Sequence, residues 1–140
     1  MVYADSSFFV SAYRPDTNSP AVWRRLAGSP HLIFTPFHRV ELAHAFARMV
    51  FEGRISQKEA DLVIADLNQD CAAGLWDLVE FPAGAFATCI QLARRYVPTL
   101  GTRTLDSLHV ACALELKADR FWTFDERQKR LAKTAGLKTN

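Results

Sequence analysis

Cysteine is scarce in this chain, and what little there is forms no motif. Only three cysteines occur, Cys71, Cys89 and Cys112. Their number is odd, their spacing wide, and no CxxC pair is present, which argues against a disulfide framework and a structural zinc site. Free thiols in mostly apolar segments suit a reducing compartment, so a cytoplasmic location is expected. No apolar run approaches the roughly 18–20 residues of a membrane span. The opening segment MVYADSSFFV has neither a basic stretch nor the apolar block of a secretory signal, so none is expected. Excess charge is also missing: 17 basic residues face 15 acidic ones, a net of +2. Bulk charge therefore does not announce a nucleic-acid binder, and any such affinity must come from local patches.

What is present fits one globular domain. The length of 140 residues is close to the commonest domain size, and 49% hydrophobic residues exclude a disordered chain. A chain of this size buries roughly two-thirds of its unfolded surface, so it folds without staples.

Punctuation along the chain predicts short strands separated by helices. Val2-Tyr3-Ala4 reads as a buried strand ending at Asp5, with a short helix from Ser6 or Ser7 to Ala12. Residues 14–18 form a loop. Ser19 reads as an N-cap with Pro20 at the first helical position, and this helix stops at Gly28. His31–Thr35 is a second strand. Pro36 opens a long helix with Val40, Ala43, Ala47 and Val50 on one apolar face, ended by Gly53. Ser56 and Glu59 make a capping box for a helix carrying Leu62, Val63, Ala65 and Leu67.

Trp76–Phe81 is a third strand, followed by a helix from about Ala83 to Tyr96 and a loop through Pro98 and Gly101. Thr104 caps a helix to about Lys117, with Leu105, Leu108, Cys112 and Leu116 inward. Phe121–Phe124 is a fourth strand, Glu126–Ala135 a last helix, and Leu137–Thr139 a possible fifth, edge strand. The phenylalanines are expected to be mostly core. This alternation implies an α/β fold around a mainly parallel sheet of 4–5 strands with helices on both faces, as a single domain over residues 1–140.

Sites in open parallel sheets form at the carboxyl ends of strands. Asp5 ends the first strand and Asp125 the fourth, so both belong on one rim. Glu41 lies in the first turns of the helix after the second strand. Asp106 lies in the first turn of the helix before the fourth, and joins them only if that helix begins at the rim. Four carboxylates within a few Å cannot all stay ionised unaided, and a divalent cation resolves the conflict. Hard oxygen donors favour Mg²⁺ or Mn²⁺ over zinc. Such a centre hydrolyses phosphodiesters without a serine, histidine or cysteine nucleophile.

Each acid also has an ordinary structural use. Asp5 and Asp125 can cap the helices that follow them, Asp106 suits a helix dipole, and Glu41 can be solvated. His44 and His109 stand three residues after Glu41 and Asp106, a spacing that lets a histidine orient a carboxylate on its own helix face. His31 and His38 read as surface or strand-end residues. Small basic groups, Arg24-Arg25, Arg94-Arg95, Arg103 and Arg127 to Lys133, can hold nucleic-acid phosphates or form plain helix faces.

The segments VYADSSFFV, RVELAHAF, RTLDSLHVACAL and FWTFDERQKRLAKTAG, in that order, resemble PIN-domain proteins, most of all the VapC toxins of bacterial toxin–antitoxin pairs. The resemblance spans essentially the whole chain. It implies a Mg²⁺- or Mn²⁺-dependent endoribonuclease acting on structured RNA, a cognate antitoxin that blocks the site, and a homodimer. It carries over Asp5, Glu41, Asp106 and Asp125 as acidic site residues, with Ser6 and Thr123 at positions of small hydroxyl residues. The same resemblance leaves room for an RNA-processing nuclease without a toxin role, or a non-catalytic RNA- or protein-binding PIN domain. Phosphatase and receiver readings fit less well. A haloacid-dehalogenase site wants a second Asp where Ser7 stands. A receiver wants an adjacent acidic pair where Ala4-Asp5 stands.

Overall fold

The computed structural model describes residues 1–140. Four strands, β1 (Val2–Ala4), β2 (Leu32–Phe34), β3 (Asp77–Leu78) and β4 (Arg120–Trp122), form one sheet in the order β3-β2-β1-β4, with every pairing parallel. Seven helices complete the chain: α1 (Ser6–Tyr13), α2 (Ser19–Leu26), α3 (Pro36–Phe51), α4 (Gln57–Ala72), α5 (Gly84–Leu100), α6 (Thr104–Glu115) and α7 (Glu126–Thr134). The expected α/β architecture is observed.

Side chains alternate across the sheet with the period of two that a strand imposes. Tyr3, Ile33 and Phe121 enter one core with residues of α5, α6 and α7. Ala4, Leu32 and Phe34 enter the other core, with α1 to α4. The sheet is thus the middle of three layers. The chain leaves β1 towards β2 and β3 on one side and returns to β4 on the other, which makes the end of β1 a topological switch point.

The structure corrects several local expectations. β1 has the expected bounds, but β2, β3 and β4 are shorter than their apolar runs, and the fifth strand is only a single bridge, Phe121 to Thr139. Ser19 is the first residue of α2 and not its cap. Its buried hydroxyl donates to the Ser11 carbonyl at 2.7 Å, while the Asp16 carboxylate takes the free N–H groups of Asn18 and Ser19. An ionised acceptor outcompetes a hydroxyl for those donors. Thr104 likewise begins α6, and Arg103 stands in the cap position.

Helix α5 continues through Pro98 and closes on Gly101 in the left-handed region at φ 64°. Proline there removes one late-turn bond, to a carbonyl of the exposed Arg94 that water can reach. On α3 the buried side chains are His38, Leu42 and Phe46, whereas Val40 is 66% exposed and Ala43 and Ala47 face solvent. Two apolar stripes compete on this helix, and the stripe with the larger side chains takes the core. Leu62 and Leu105 also face outward, as do two phenylalanines, Phe51 at 92% and Phe86 at 58% exposure.

Candidate active site

Register places Asp5. Ala4 of β1 pairs with Trp122 of β4, and the next backbone bond runs from the Asp5 N–H to the Trp122 carbonyl at 3.0 Å. Asp5 and Thr123 therefore leave the sheet side by side, and the Thr123 hydroxyl lies 2.6 Å from Asp5 Oδ2. Asp5 Oδ1 accepts from the Ser7 hydroxyl at 2.6 Å and from the Phe8 N–H at 3.1 Å. Asp5 thus caps α1 while being only 6% exposed. Burial pushes its carboxyl above the ordinary range, against the opposing pull of His109, Ser7, Thr123 and the Phe8 N–H.

Asp125 caps α7 through one oxygen alone. Its Oδ1 accepts from the Arg127 and Gln128 N–H groups at 2.8 and 2.9 Å, which leaves Oδ2 without a protein partner. Glu41 shows the same division. Its Oε2 accepts from the Ser6 hydroxyl at 2.6 Å and is hydrogen-bonded to His109 Nε2, and Oε1 has no protein partner. Burial works against its charge, yet the bonds from His109 and Ser6 hold the carboxyl below the ordinary range. Asp106, in the first turn of α6, is paired with Arg103 Nε at 2.8 Å. Helix α6 runs back to feed β4, so its N-terminus does reach the rim, where Gln128 Nε2 donates to the Asp106 carbonyl at 3.1 Å.

All four acids line one open cleft of about 410 Å³. Ser6, Ser7, Asn18, Arg103, His109 and Gln128 complete its polar wall, and Phe124 is its one hydrophobic residue. No three acidic, histidine or cysteine side chains converge on a common point as an ion's ligands. Each acid has its own partner instead: Arg103 for Asp106, His109 for Glu41, and the N-termini of α1 and α7 for Asp5 and Asp125. The donor chemistry nevertheless suits a hard divalent cation: the cleft offers carboxylate oxygens, two of them spare, and no thiol.

Sequence reasoning missed several of these neighbours. His109 was expected to share a face with Asp106, but it bonds to Glu41 across the cleft. His38, read as a surface or strand-end residue, is fully buried between Thr35 and the Ala4 carbonyl. Asn18 carried no signal beyond its polarity, and Gln128, at capping-box spacing from Asp125, turns its side chain to Thr123 and the Asp106 carbonyl instead. Of the basic groups, only Arg103 lines the cleft. Arg25 instead stacks over Trp122 and Phe124. Tyr13 is tied to Asp70 and Trp76.

The family model described as PIN domain matches residues 2–134. Solved structures share the fold at low identity. FitAcB from Neisseria gonorrhoeae superposes with a TM-score of 0.74 at 19% identity, covering 99% of this chain and 96% of that one. VapC20 of Mycobacterium tuberculosis, described as a sarcin-ricin loop cleaving toxin, gives 0.67 at 14% identity, over 98% and 96%. VapBC2 from Rickettsia felis, bound to a DNA fragment from its promoter, gives 0.66 at 18% identity, over 100% and 98%. A search of curated proteins finds no match.

Proposed function

We propose, from the premise that the chain belongs to the PIN-domain family, that it is a metal-dependent endoribonuclease centred on Asp5, Glu41, Asp106 and Asp125. The observation that carries this reading is the gathering of four acids, from four separate elements, along one polar cleft at the switch point of the sheet. Mg²⁺ or Mn²⁺, held by these carboxylates, would supply a water of lowered pKa and neutralise charge on the phosphate.

The chain's own groups prepare that chemistry. Ser7, Thr123 and the Phe8 N–H fix both oxygens of Asp5. The cap on α7 fixes Asp125 through one oxygen and leaves the other available. Arg103 is the one cation of the cleft wall, placed where an RNA phosphate would draw it away from Asp106.

The same reading makes the chain the toxin of a toxin–antitoxin pair, acting as a homodimer in the cytoplasm and silenced by a cognate antitoxin. The descriptions of the structural neighbours support that role, since one is called a toxin. No helix is long and apolar enough to cross a membrane.

The test is direct. Purified chain should cleave RNA with Mg²⁺ or Mn²⁺ and not with EDTA, and Asp106→Ala should abolish cleavage while the protein stays folded. Wild-type activity in that variant sinks the assignment. Growth arrest on expression, relieved by a neighbouring small gene, separates a toxin from an RNA-processing nuclease.

A further inference from the structure

His109 occupies a position that the four-acid reading does not use. It is 3% exposed, one turn after Asp106 on α6, yet its ring reaches across to α3. Nε2 bonds to Glu41 Oε2, and Nδ1 lies 2.9 Å from the hydroxyl of the fully buried Tyr3. The ring packs against Phe37 with centroids 4.5 Å apart.

An ionised carboxylate has no proton to give, so Nε2 carries the hydrogen and donates it. Tyr3 then meets the other nitrogen and fixes how the imidazole is turned. The Ser6 hydroxyl donates to the same Glu41 oxygen at 2.6 Å. Both bonds fall on Oε2, so the side chain is held while Oε1 is left over. A glutamate on a helix wall otherwise samples many rotamers, and ordering it has an entropic cost at the moment a ligand binds.

We infer that His109 is a positioning residue for Glu41, backed by Tyr3, which presents the spare carboxylate oxygen to a divalent cation and ties α3 to α6 across the cleft. This rests on the metal-centre reading given above. Partners that orient a ligand carboxylate are worth about 10–100-fold in metal affinity.

Mn²⁺ titration calorimetry on the full chain tests it, with circular dichroism as a check of folding. His109→Leu should weaken Mn²⁺ binding about tenfold or more. His109→Gln, which keeps an N–H donor, should recover most of the affinity. Tyr3→Phe should fall between them. A role in packing alone would lower the melting temperature and leave the Mn²⁺ affinity unchanged, and that result in His109→Leu overturns the inference. Should His109→Leu fail to fold, Tyr3→Phe decides, because it removes one hydroxyl and keeps the ring; an unchanged affinity there overturns the inference as well. If the wild-type chain itself binds no Mn²⁺ and leaves RNA intact, the metal-centre reading falls and takes this inference with it. If the wild type binds and the variants match it, only the positioning role falls.

Discussion

Mild acid should destabilise this protein through a single buried histidine. His38 is fully enclosed at the start of α3, where Nε2 lies 2.8 Å from the Ala4 carbonyl and Nδ1 accepts from the Thr35 N–H at 3.0 Å. Both ring positions are committed. A second ring proton would put Nδ1–H against the Thr35 N–H, with only the Thr35 hydroxyl, 2.9 Å away, to accept it, and would do so out of reach of water. Burial, with His109 nearby, lowers its pKa from 6.5 to about 3. A group whose folded pKa is depressed supports the fold above its unfolded pKa and loses that support as pH falls towards the folded one.

The window therefore opens near pH 6.5 and runs down towards 3. At pH 5 the unfolded chain carries the proton and the folded chain does not, which costs about 2 kcal/mol relative to pH 8. For a domain of this length that is about 7 °C in Tm. Asp5 works in the opposite sense, because its raised pKa lets the folded state take up a proton first as pH falls. The comparison that isolates His38 is thus wild type against His38→Gln, in which Gln still serves the helix start as a capping-box partner. Thermal melts from pH 8 to pH 5 should show the wild-type advantage shrinking by about 7 °C. A gap that stays constant over that range refutes the argument.

Two further outcomes separate chemistry from folding. Asp5→Asn keeps a good N-cap for α1 and removes a buried charge, so it should lose at least about 100-fold in RNA cleavage with Tm equal to or above wild type. A clear drop in Tm would mean that the charge itself holds the site together. Asp125→Ala should cost about 1 kcal/mol as a lost cap, whereas Asp125→Asn should keep the cap and still lose cleavage. Full activity in Asp125→Asn would reduce that residue to its capping role.

Much of the architecture was legible because its signals are local. Gly53, Pro36 and the Ser56–Glu59 box bound their helices as expected, and the alternation of short apolar runs with helices gave the parallel sheet. Asp5 and Asp125 could be placed on one rim from strand ends alone. The failures have different physical causes. Strands of two or three residues carry too little period to fix their ends. On α3, Val40, Ala43 and Ala47 form as regular a stripe as His38, Leu42 and Phe46, and only the packing partners decide between them. The pairing of His109 with Glu41 spans 68 residues, so spacing along a single helix pointed to the wrong acid.

The pairing of β1 with β4 has a consequence for when the cleft can form. Asp5 precedes its neighbour Thr123 and the last acid, Asp125, by more than a hundred residues. Contacts this distant in sequence form late in folding. A growing chain carries Asp5, Glu41 and Asp106 before Asp125 has been added to it. The four-acid cleft is therefore complete only once the last strand has joined the sheet, and a chain stopped short of β4 lacks its fourth carboxylate.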